Sequence, residues 1–203
     1  MSIPILIMIS IIWVAILHYK KERVSNIEES QSKAFWNREH EANEVRKKDI
    51  SNLPYITIPL DSLPFHENAD EDLLEIYKII RSLGDKKIVN LNHMSNTDLK
   101  LEYGVANLDI LSEYDNNYVT LVRTLAKWGS YLYEHDEITD CRKVLEFGIQ
   151  CNTDIKSNYI LLAQLYKASG ENGKVSHLIS KAEQLDSLTK NSIIASLEKI
   201  CEE

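Results

Sequence analysis

The chain has 203 residues, 44% hydrophobic and 27% charged, with six glycines and four prolines, which suits one modest domain with appendages. A formal net charge of −8 argues against general nucleic-acid binding, which rests on a Lys/Arg surface that neutralises phosphates, so no nucleic-acid partner is expected. Cys141, Cys151 and Cys201 are odd in number and form no CxxC, so they make no disulfide framework and suit a reducing compartment.

The N-terminal "SIPILIMISIIWVAILHYKKER" carries no charge over residues 3–17, and Trp13, His18 and Tyr19 lie toward its far end, where amphipathic rings favour a membrane interface. As a helix, residues 3–19 would be roughly 25 Å long, at the short edge of a ~30 Å hydrocarbon core. The reading is a membrane anchor at residues 1–19. A cleaved signal peptide is the main rival, but no basic region precedes Ile3 and no small-x-small site follows. A buried soluble helix is a third reading, and a segment apolar on every face argues against it. Lys20, Lys21, Arg23, Lys33 and Arg38 all follow the segment, and such residues stay on the cytoplasmic side. The expected location is therefore the cell membrane, single-pass, with the N-terminus outside and the C-terminal domain cytoplasmic.

Residues 20–49 are dense in helix formers, lack Gly and Pro, and read as a mostly solvated juxtamembrane helix. Phe35 and Trp36 are its exceptions, expected to dock on the domain or to face a partner. Pro54, Pro59 and Pro64 exclude a regular helix from residues 50–67, which read as an extended arm pinned along the helical domain. The domain itself should fill residues 68–203. "NADEDLLEIYKIIRSLG" has acidic residues in its first turn, Leu73, Ile76, Tyr77, Ile80 and Leu83 at helical spacing, and Gly84 as a stop. Ser95 and Asp98 resemble a capping pair that opens a helix running to about Tyr114.

Thereafter the chain repeats. Leu125, Trp128, Gly129, Leu132, Cys141, Leu145 and Gly148 fall opposite Tyr159, Leu162, Ala163, Tyr166, Val175, Ile179 and Ala182, 34 residues later, and both sets are apolar or small. The period and pattern resemble the tetratricopeptide repeat, a helix–turn–helix whose small residues let the helices approach closely. Two such repeats are expected at about 122–155 and 156–189, followed by a capping helix. Ser187 and Thr153 stand where that family favours proline. Two repeats cannot bury their faces alone, so the upstream helices and the arm must complete the core. Cys141 is read as a buried spacer.

A second resemblance covers more of the chain. "FWNREHEANEVRKKDISNLPYITIPLDSLPF", "MSNTDLKLEYGVANLDILSEYD" and "VLEFGIQCNTDI" look like a family of membrane-anchored clostridial proteins with a tetratricopeptide-like C-terminal region. It implies a Gram-positive bacterial source and this mainly α architecture, and it supplies no activity.

Chemistry is sparse. The six histidines are scattered with no pair at i, i+4, and there is no Walker loop, GxSxG or glycine fingerprint. "REHEANE" combines Glu39, His40, Glu41 and Glu44, a composition that can ligate metal but reads as a solvated helix face. No catalytic residue, metal or cofactor is assigned, and the chain is read as a binding protein, not an enzyme. In tetratricopeptide proteins the first helices of successive repeats line a concave groove. That resemblance places Arg123, Ser130, Tyr133, Gln164 and Lys167 toward such a groove, suited to a peptide with acidic or amide groups. The arm is a competing occupant. Two functions follow: a membrane-tethered cytosolic adaptor or scaffold that binds a protein or peptide through this surface, or a structural subunit that associates laterally through its membrane helix.

Overall fold

The computed structural model describes residues 3–202; within the first helix the side chains of residues 3–7, 9–11, 14, 15 and 25–27 lie outside the described set. The protein is mainly α, with no strand among the described residues. The elements are α1 (Ile3–Glu44), α2 (Glu71–Leu83), α3 (Asn96–Tyr103), a 3₁₀ turn at Val105–Asn107, α4 (Leu108–Glu134), α5 (Ile138–Gln150), α6 (Lys156–Ala168), α7 (Asn172–Glu183) and α8 (Lys190–Glu202). The chain divides into two compact units.

The smaller unit runs to Lys48 and takes in Asn96–Ala106. Its long helix α1 packs near its C-terminal end on α3, burying Ala42 and Leu99. Arg38 pairs with Asp98 at 2.5 Å, and Glu39 accepts from Lys100 and from Thr97, the latter at 2.7 Å. The Lys100 bond comes first among the causes holding the Glu39 carboxyl below its usual range. Among the described residues no helix is long and apolar enough to cross a membrane. The anchor expected at residues 3–19 falls largely on side chains outside those residues. Phe35 and Trp36 are exposed and meet edge to face, 5.4 Å between ring centres, rather than docking in a core.

The helix expected from Ser95 to Tyr114 is broken. Gly104 has φ +87°, and a Cβ there would meet the Arg46 carbonyl, so only glycine both takes the left-handed turn and admits that strand of chain. Lys48 N–H donates to Tyr103 O at 3.0 Å, fixing the same approach.

The larger unit is Asp49–Ser95 with Asn107–Glu203. Asp70 caps α2 by accepting from Leu73 N at 2.9 Å, and Leu73, Ile76, Tyr77, Ile80 and Leu83 all face the core. Gly84 ends this helix in an ordinary right-handed conformation, and its lack of a side chain makes room for Leu60 of the arm. The arm is irregular, with turns at residues 51–53 and 60–63; Ile58 and Leu63 are buried, and Ile56 N–H donates to Ile88 O at 2.9 Å. Phe65 wedges between Tyr77 and Trp128, with ring centres 4.8 and 5.3 Å away.

From α4 onward the helices form successive antiparallel hairpins: α5 packs on α4 and α6, and α8 closes against α6 and α7. The backbone itself repeats at the turns. Glu137 N–H bonds Leu132 O and Glu171 N–H bonds Tyr166 O; Asp136 N–H bonds Tyr133 O and Gly170 N–H bonds Lys167 O. Each bond recurs 34 residues on, and Asp136 and Gly170 share the left-handed conformation at φ 60° and 74°.

Small residues mark the crossings. A Cβ on Gly129 would strike Leu145 across the α4–α5 contact, and one on Gly148 would strike Asn158 of α6. Cys141 is fully buried and its thiol donates to the Gly129 carbonyl at 3.2 Å; burial pushes that thiol up to about 12, as it does for Cys151. Such thiols are inert spacers at neutral pH.

Candidate functional site

The larger unit carries an open groove of about 850 Å³. Val119, Val122 and Arg123 of α4 form one wall, Ile155 and Lys156 at the start of α6 another, and residues 186–189 of the α7–α8 loop its far rim. Its floor is apolar, because α4 turns Val122 inward and leaves Val119 half-buried. Leu188 on the rim is wholly exposed, at 103% of its reference area. Ionic groups of both signs surround this floor: Arg123 and Lys156 against Asp154 and Asp186.

The rim is held by a local hydrogen-bond set. Ser187 Oγ donates to Asp154 Oδ2 at 2.7 Å, Thr189 Oγ1 donates to Asp154 O at 2.9 Å, and Lys156 Nζ donates to Ser192 Oγ at 2.8 Å. The Ser187 hydroxyl thus ties two hairpin loops together. A neighbouring cleft of about 380 Å³ shares Asn92, His93 and Asp154 with the groove and is walled by Pro54 and Ile56 of the arm. Behind it Tyr118 donates to Asn152 O at 2.9 Å and accepts from Asn90 at 2.9 Å; its burial raises the phenol's pKa, keeping it a donor.

Of the five residues the repeat pattern nominates, only Arg123 lines the groove; it is exposed and without a hydrogen bond or ion pair among the described residues. Ser130 is half-buried on α4, Tyr133 is exposed on its last turn, and Gln164 is exposed on α6, all outside the groove lining. Lys167 is committed elsewhere: its ammonium donates to Ile200 O at 2.6 Å, holding the last turn of α8 where cations suit the helix dipole. Sequence reasoning missed Leu188, Val119 and Lys156. The single available signal was an apolar residue in the polar stretch "DSLTKNS".

The second hairpin is bolted to the first by charge. Arg142 of α5 forks onto both carboxylate oxygens of Glu171, one at 3.0 Å, and bonds Glu146 at 2.9 Å. Tyr166 donates to the same Glu146 oxygen at 2.8 Å, and Lys174 pairs with Glu171 at 2.5 Å. The Arg142 bond, then the Lys174 bond, bring Glu171 down to about 2.

Comparison of the chain with protein-family models, with curated proteins and with solved structures finds no match in any of the three.

Proposed function

We propose that the protein is a non-catalytic, membrane-tethered adaptor, with tetratricopeptide-like hairpins at α4–α7, that receives an extended peptide of a protein partner in the Arg123–Leu188 groove. The partner's peptide would lay an apolar side chain on Val119 and Val122 and an acidic or amide group against Arg123. One observation carries this reading: a fully exposed leucine and an unpaired arginine flank an apolar floor. Isolated exposed leucines are ordinary, but contiguity with an apolar groove is the mark of an interaction surface. The arm's Leu60 and Phe65 pack at Gly84 and on Trp128, away from this floor, which supports leaving the floor to a partner.

Tethering rests on the uncharged run at residues 3–17, with Ile12, Trp13, Ile16 and Leu17 exposed along α1. The basic residues that follow orient the larger unit to the cytoplasm. Replacing residues 3–19 with an unrelated membrane helix, and separately making Arg123→Glu, tests the reading in native membranes. An adaptor keeps its copurifying partner through the first change and loses it with the second. Loss with the helix swap and retention with Arg123→Glu would instead identify a laterally associated subunit.

A further inference from the structure

His66, Glu137 and Asp140 meet although no spacing rule links them. Phe65, clamped by Tyr77 and Trp128, delivers His66 from the end of the arm, and the Tyr77 hydroxyl accepts from His66 N–H at 3.0 Å. Glu137 and Asp140 come from the turn and first turn that open α5. His66 Nε2 lies 3.1 Å from Glu137 Oε2 and 3.1 Å from Asp140 Oδ2, and the three ligand atoms lie within 4.8 Å of one another.

A simple ion pair accounts poorly for this arrangement. One imidazole nitrogen carries at most one proton, yet two carboxylate oxygens converge on it. Glu137 Oε2 is closed off from solvent and accepts no hydrogen bond from any described residue, even with Nε2 beside it. Native structures rarely leave such an atom unmatched without a reason. The equivalent turn 34 residues later supplies the contrast: there Glu171 is fully answered by a guanidinium and an ammonium. At the first turn Lys143 donates to the other oxygen of Asp140, Oδ1, at 2.8 Å, leaving Oδ2 and Glu137 Oε2 beside the imidazole.

Divalent-cation chemistry resolves both facts. Ligand atoms ~2.1 Å from a common cation stand about 3.0 Å apart in octahedral and about 3.4 Å apart in tetrahedral geometry, and the two 3.1 Å separations fall in that interval. We propose that His66, Glu137 and Asp140 form a binding site for a borderline divalent cation of the Zn²⁺ class, open to solvent on its outer side, which pins the end of the arm to the α4–α5 turn. One imidazole with two carboxylates, and no thiolate, fits that class and not a soft-metal site. This site is independent of the groove and of the adaptor reading.

The test uses the full chain, stripped of metal and held in detergent, titrated with Zn²⁺ in competition with a chromophoric chelator. One Zn²⁺ per chain is expected, with affinity falling on the order of tenfold or more in His66→Gln and in Glu137→Gln. His177→Gln, at an exposed histidine of α7, should bind Zn²⁺ as the wild type does. Co²⁺ added to the wild type provides a second readout that needs no variant: ligand-field bands should appear at one equivalent and be displaced by Zn²⁺. Absence of saturable binding, absence of those bands, or binding undiminished in both ligand variants would overturn the site.

Discussion

The turns at Glu137 and Glu171 share a backbone and differ in their partners. Each closes a helix hairpin through the same hydrogen bonds, places a left-handed residue one position before the glutamate, and opens the next helix with that glutamate. At the second turn Glu171 grips Arg142 of the preceding hairpin, so charge is matched within the stack. At the first the glutamate faces the arm's His66 instead. The two turns thus share a backbone and a glutamate, and the neighbouring element sets what that glutamate meets: Arg142 and Lys174 at one, His66 at the other.

The largest expected effect probes the crossings between the hairpins. Gly148→Leu, or Ala182→Leu, should cost about 1–3 kcal/mol, because the added atoms enter a filled contact. Gly173→Ala, in the first turn of α7 where a Cβ meets nothing, should instead stabilise by roughly 0.5 kcal/mol by reducing the unfolded chain's entropy. Thermal unfolding that shifted the same way for both glycines would break the distinction between close-packed and open positions.

Next come the left-handed residues. Gly170→Ala should destabilise by about 1–2 kcal/mol through φ alone, since no atom lies near its Cβ. Asp136→Gly should stabilise by up to about 1 kcal/mol at the matching position. If denaturation midpoints moved in the same direction for both, the two turns would not be equivalent.

The smallest effect is in pH. Glu171 is lowered from 4.5 to about 2 by Arg142 and Lys174, so its pairing stabilises the fold above pH 4.5 and that contribution is lost as pH falls through about 2. Wild type should therefore exceed Glu171→Gln in unfolding midpoint at neutral pH, with the gap closing between those values. A gap constant down to pH 2 would show that the pairing contributes nothing.

Local signals in the sequence carried the helices whose ends are locally coded. For α2, Asp70 and the spacing of Leu73, Ile76, Tyr77, Ile80 and Leu83 were sufficient, and the mainly α class followed from such patterns. The break at Gly104 was not legible, because its cause is the Arg46 carbonyl, distant in the chain, while helix-forming residues run on both sides. Repeat position specifies a face and not what packs against it, so the bond from Lys167 to the Ile200 carbonyl of α8 was not legible in the sequence. His66 was invisible for a similar reason: spacing rules see one helix at a time, and its partners arrive through the packing of Phe65 on Trp128.

The groove is tested most directly by placing a photoactivatable residue at position 188 of the protein in its native cells. The account predicts one discrete protein adduct, abolished by Arg123→Glu and unaffected when residues 3–19 are replaced by an unrelated apolar helix. No adduct from position 188, or one indifferent to Arg123→Glu, would contradict it.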